Sequence, residues 1–152
     1  MTVVDFLIGN NSRSLEDWGM AEDNTGRLFP GPVYDCGDPL FAQEGDEELE
    51  RAMGQGWFAE KCLNVQTGLF DEGTGKRMTF GGLLTDPCPD LQRAILEIVP
   101  RIDLEAIQQI IRETPFMSEI RKQAMMESIN VTYEQVLLPV YVELQSADSE
   151  GQ

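Results

Sequence analysis

Apolar residues crowd the first eight positions, thin out through the middle and then recur with helical spacing to the end. Residues 2–8 are apolar apart from Asp5, a run that suits a buried strand or the end of a helix equally well. Gly9-Asn10-Asn11-Ser12 follows as a turn. Asn24-Thr25-Gly26 has the composition of a hairpin tip, and Pro30, Pro32 and Pro39 argue against helix between residues 21 and 39. Residues 44–53 are highly charged and read as a short helix or a mobile acidic loop. Seven glycines between residues 54 and 88 predict loop with short strands or turns, Trp57-Phe58 among them.

The last third has a different rhythm. Leu91, Ala94, Ile95 and Ile98 fall at i, i+3, i+4 and i+7, one face of a helix that Pro100 ends. Asp103 is placed to cap a second helix with Leu104, Ile107, Ile110 and Ile111 on one face, closed by Thr114-Pro115. Ser118 caps a third that extends to about Ser128. A fourth stripe comprises Tyr133, Val136, Leu137, Val140 and Tyr141, with Pro139 predicted to kink or shorten it. These stripes are core positions rather than binding surfaces. The pattern divides the chain into a front and a back. Its front is loop and short strand, its back a helical bundle, and residues 146–152 form a polar, flexible tail. No internal repeat is visible.

Composition narrows the chemistry. Across 152 residues, 27 acidic side chains face 11 basic ones, for a net charge of −16. Residues 1–75 hold 15 acidic and 4 basic residues, a net charge of −11; the remainder holds 12 and 7, a net charge of −5. Such a chain repels phosphates, so direct nucleic-acid binding is not expected, while a basic protein partner is compatible with it. The sequence contains no histidine, which removes Ser-His-Asp and Cys-His catalysis as well as Cys/His zinc sites. Cys36, Cys62 and Cys88 are far apart and form no CxxC pair, as expected for reduced thiols in a cytoplasmic protein. No apolar run approaches the roughly 20 residues a membrane span requires, and the first residues lack a basic targeting region.

Two segments carry a specific resemblance. Residues 7–19, Leu-Ile-Gly-Asn-Asn-Ser-Arg-Ser-Leu-Glu-Asp-Trp-Gly, resemble the catalytic loop of HipA-like Ser/Thr kinases, approximately I-G-N-x-D-x-H-x-x-N-[FW]-[GS]. Residues 32–41, Pro-Val-Tyr-Asp-Cys-Gly-Asp-Pro-Leu-Phe, resemble that family's magnesium loop, approximately P-x-[YF]-D-x-G-x-S-L. The resemblance is specific across residues 6–41 and diffuse beyond. It implies one α+β, mainly α domain over residues 1–145, a kinase-like C-lobe fragment with a loop and short-strand front and a C-terminal helical bundle. In such a site one carboxylate orients and deprotonates the attacking hydroxyl, and further oxygen ligands hold magnesium against the phosphates.

Three positions depart from that pattern. Ser12 stands where the family has its catalytic Asp, and a serine hydroxyl is a very poor base near neutral pH. Ser14 stands at the loop His, and Asp17 at the metal-binding Asn, where it keeps an oxygen ligand. Asp35 matches the main magnesium ligand. The loop also begins at residue 9, whereas in the family an N-terminal lobe with the ATP site precedes it. The resemblance therefore implies a fragment without catalysis of its own that acts by protein binding in a toxin–antitoxin setting. No cofactor is expected beyond weak magnesium at Asp17 and Asp35, with ATP bound only if another lobe complements the site. The expected partner is a toxin, an antitoxin, a missing kinase lobe or a second copy.

Other readings remain. One is a small acidic inhibitor, antitoxin or nucleic-acid mimic that binds a basic protein; another is a subunit of a split kinase. A hydrolase using Glu16, Asp17, Asp35 and Asp38 has no spacing that demands it. Gly73-Thr74-Gly75-Lys76 lacks the Gly at 70 and the Ser or Thr at 77 of a Walker A loop, and reads as a turn.

Overall fold

The computed structural model describes residues 1–14, 16–34, 36, 37 and 39–150, with side chains through residue 147. The opening apolar run is helix α1, Thr2–Leu7, which buries Val3, Phe6 and Leu7. Gly9, at φ +64°, turns the chain out of it in a conformation that costs glycine little. Strands β1, Met20–Glu22, and β2, Leu28–Pro30, pair antiparallel around the tip anticipated at residues 24–26. There the Asp23 Oδ1 accepts hydrogen bonds from the Thr25 and Arg27 backbone N–H groups at 2.8 and 3.0 Å. A bond from the Thr25 hydroxyl, followed by these two from the backbone, pulls the Asp23 carboxyl below its ordinary range.

The charged segment is a helix, α2, Asp46–Gly54. Its acidic first turn suits the positive end of the helix dipole, and Leu49 and Ala52 anchor it. In the glycine-rich stretch after it, the short strands expected there pair as a hairpin, and two unexpected helices flank it. The stretch holds helix α3, Phe58–Leu63, the hairpin β3, Gln66–Phe70, with β4, Arg77–Thr79, and helix α4, Phe80–Thr85. Burial forms the two helices despite their composition: Phe58 and Cys62 are sealed in one core cluster, Phe80 and Leu84 in another. The Thr79 hydroxyl caps α4, accepting the Gly82 N–H at 3.0 Å. Gly73–Lys76 is the tip of the second hairpin, closed by Asp71 Oδ1 accepting the Thr74 N–H at 2.7 Å.

The C-terminal helices follow the pattern closely. Helix α5 spans Pro89–Ile98 and gives way to a 3-10 turn at Val99–Arg101, where Pro100 lies. Asp103 caps α6, Leu104–Glu113, by accepting the Ala106 N–H at 3.0 Å. Ser118 caps α7, which extends beyond the predicted end to Thr132. No loop follows it. A π-helical turn, Tyr133–Leu137, carries the chain straight into α8, Leu138–Glu150. Pro139 has no N–H to give the Gln135 carbonyl, and the widened turn absorbs that defect within one continuous rod. The backbone stays helical to Glu150, into the 146–152 stretch whose polar composition predicts a tail.

Helix α7 is the central strut, packed against α1, α2, α3 and α6. One core cluster joins α1, α4, α5, α6 and the α7–α8 rod through Phe6, Phe80, Leu84, Ile95, Ile111, Ile129 and Leu137. A second seats α2 and α3 on α7 through Leu49, Phe58, Cys62, Ala124 and Val131. The result is mostly helical, with two small antiparallel hairpins at the front.

Candidate functional site: two loops tied by Asp5 and Arg13

The loop after α1 is built around Asp5. This carboxylate is 3% exposed, and an unpaired charge there would be costly. It is fully engaged. The Asn10 Nδ2 donates to its Oδ1 at 2.9 Å, and Arg13 donates from Nη2 to Oδ1 at 2.9 Å and from Nε to Oδ2 at 3.1 Å. Hydrogen bonding to Asp5 raises the Arg13 pKa, so the guanidinium is held all the more firmly in its charged form. Asn10 is itself buried, and its Oδ1 accepts the Ser12 hydroxyl at 2.9 Å. Helix α1 thus dictates the course of residues 10–13 through two buried side chains.

Arg13 also reaches the second loop. Its Nη1 donates to the Tyr34 carbonyl at 2.6 Å, and its Nη2 lies 3.3 Å from the Cys36 Sγ. Two further bonds join the segments: the Leu40 N–H donates to the Ile8 carbonyl at 2.8 Å, and the Tyr34 hydroxyl donates to the Glu16 carbonyl at 2.5 Å. From behind, Arg121 on α7 donates to the carbonyls of Phe41 and Glu44. Tyr34, Cys36 and Leu40 of the second segment therefore lie against Ile8, Arg13 and Glu16 of the first.

Three of the expected site residues, Ser12, Ser14 and Asp17, are described. Ser12 is at the head of the loop with its hydroxyl held by Asn10. Ser14 donates its N–H to the Asp17 Oδ2 at 2.5 Å, and its hydroxyl accepts the Glu16 N–H at 3.1 Å. Asp17 is 9% exposed. Its Oδ2 is committed to Ser14, while its Oδ1 has no protein donor among the described residues and is not sealed from solvent. A carboxylate oxygen is the kind of ligand that magnesium takes. Asp35 and Asp38 lie outside the described residues. Among the described residues, no three His, Cys, Asp or Glu side chains gather closely enough to hold a metal.

Two organising residues escaped the sequence motifs. Asp5 had a signal, as the one charge in an apolar run. Gly68 had none. It sits where β3 bulges between its Gln66–Thr79 and Phe70–Arg77 pairs, against the loop backbone. A Cβ at Gly68 would fall 1.5 Å from the Arg13 carbonyl oxygen. Only glycine lets the second hairpin press on the loop this closely.

Together, an α+β arrangement of two stitched loops on a helical bundle is that of a kinase-like fold fragment, and comparison with known proteins agrees. The chain is homologous to the serine/threonine-protein kinase CtkA of Helicobacter pylori, being 31% identical to it over 126 residues. That match takes in 81% of this chain and 39% of the relative. The crystal structure of the Helicobacter pylori proinflammatory kinase CtkA superposes with a TM-score of 0.88 at 28% identity, over 96% of this chain and 54% of that one. The chain thus spans about half or less of the proteins it matches. No protein-family model matches it. Among the described residues, no helix is long and apolar enough to cross a membrane.

Proposed function

We propose that these 152 residues form a HipA-like kinase region that transfers no phosphate itself and acts by binding another protein, in a toxin–antitoxin setting. The observation that carries this reading is Ser12. The loop resemblance puts it where a kinase has its base, and its hydroxyl, a very poor base, is already held by Asn10. The surrounding loop is nonetheless ordered by the buried Asp5–Asn10–Arg13 network. A fold that keeps the scaffold and loses the base suits recognition better than turnover. Protein binding is further supported by the exposed apolar side chains of Met20, Leu28, Phe29, Val33 and Tyr34 around the front hairpin.

Magnesium would be held by Asp17 and Asp35, and its chemistry would be to neutralise phosphate charge. With two carboxylates it binds weakly unless phosphates complete the octahedron. The net charge of −16 favours a second reading, an acidic inhibitor directed at a basic protein. Binding of that kind weakens steeply with salt, whereas affinity unchanged between low and high salt contradicts it.

The deciding experiment restores the loop with Ser12→Asp and Ser14→His and compares it with the natural chain. Magnesium and nucleotide binding are measured by calorimetry, and transfer by labelled ATP. The natural chain is expected to transfer nothing. Transfer by the natural chain at a rate equal to that of the restored one would overturn the proposal.

A further inference from the structure

A cleft of about 330 Å³ opens between the first loop at Gly9 and Asn11, the segment after the second loop, and the junction of α3 with β3. Four carboxamides from three parts of the chain line it: Asn11, Gln43, and the neighbouring Asn64 and Gln66. Asn64 is engaged, donating to the Glu60 carbonyl at 3.0 Å. The side chains of Asn11, Gln43 and Gln66, and the backbone N–H groups of Asn11 and Gln43, make no hydrogen bond among the described residues. At Asn11, Gln43 and Gln66 the cleft therefore presents carboxamide donors and acceptors that no described residue engages.

Its charge is balanced. Its one cation among the described residues, Lys61, is paired with Glu44 at 2.6 Å. In a chain of net charge −16 this is a locally neutral surface. A ligand suited to it is uncharged and offers alternating N–H and C=O groups, which is the chemistry of a peptide backbone. A sugar would satisfy the carboxamides too, but it would also stack on an open aromatic face. Phe41, the aromatic ring of the cleft, has none to offer. The Lys61 ammonium lies 5.2 Å from its centroid, and the Phe58 ring is tilted against it at 5.1 Å.

We propose that this cleft receives an extended, uncharged peptide segment of a partner protein, held by backbone hydrogen bonds to Asn11, Gln43 and Gln66. The inference rests on the protein-binding reading above and gives that reading a place, since Asn11 is the immediate neighbour of Ser12. Affinity for such a segment is insensitive to salt, unlike binding through the acidic surface.

The test titrates a positional-scanning decapeptide library of uncharged residues into isotope-labelled protein. NMR follows the backbone and side-chain amides, with maltotriose as the parallel probe. Saturable shifts at Asn11, Gln43 and Gln66 are expected from peptide pools at low and high salt alike. Gln43→Ala and Gln66→Ala, both at exposed positions, are expected to weaken binding by up to about tenfold each, the equivalent of one lost hydrogen bond, with melting temperature unchanged. Peptide pools that leave these amides unshifted, shifts that survive both substitutions, or a response to maltotriose alone would each overturn the proposal. Unshifted amides in a chain that transfers no phosphate remove the cleft and leave the broader reading intact. Phosphate transfer by the natural chain removes the broader reading, whatever the cleft binds.

Discussion

Asp5 sits on α1 with its side chain sealed from water, and three groups depend on it: Asn10, Arg13 and, through Asn10, Ser12. Removing one member of a buried pair strands the other, which costs far more than the pair itself contributes. Asp5→Leu is expected to destabilise the chain by about 3–5 kcal/mol in urea unfolding. Asp5→Asn, which keeps a partner for Asn10, is expected to cost less. An Asp5→Leu chain as stable as the natural one would mean that the network does not shape the loop. The cysteines give a second check. Cys36 and Cys88 are exposed, while burial pushes the Cys62 thiol up to about 11. Two thiols are expected to react promptly with a disulfide reagent at neutral pH, and the third only on unfolding. Because the Cys62 pKa is raised, its stabilising contribution is complete below the thiol's ordinary range and disappears as pH climbs towards 11. At this scale Ser12, Asp17 and the break at Asp5 were visible in the sequence. The partners of Asp5 were not, because spacing along a chain does not reveal which buried groups satisfy one another.

The elements divide by the source of their stability. Helices α5 and α6 were legible because their apolar spacing and terminal signals, Pro100 and Asp103, act locally. Helices α3 and α4 were not. Each has six residues, α4 contains Gly81-Gly82, and both persist because Phe58, Cys62, Phe80 and Leu84 are buried by distant partners. The fusion of α7 with α8 was hidden for a related reason. Proline predicts a break, and here a π turn accommodates it while Leu137 stays in the core. Hairpin β3–β4 contributes to the site through Gly68, whose lack of a side chain makes room for the Arg13 carbonyl. Gly68→Ala is expected to push the hairpin off the loop and to cost about 1–3 kcal/mol, as overpacking does. NMR shifts at Asn10 to Asp17 would register the displacement; an unshifted loop would show that the contact is slack.

For the whole molecule, the homology and the superposition with CtkA support a kinase-like fold fragment, and the rods and cores explain why the chain holds that shape. The front presents exposed apolar side chains next to the stitched loops, and the surface as a whole is strongly acidic. The central claim is that this scaffold recognises without phosphorylating. The most direct measurement incubates the natural chain with magnesium and γ-labelled ATP and follows label on itself and on a generic protein substrate. Asp17→Ala is carried in parallel. The account predicts no incorporation above the protein-free control in either chain. Incorporation by the natural chain that disappears in Asp17→Ala would contradict it.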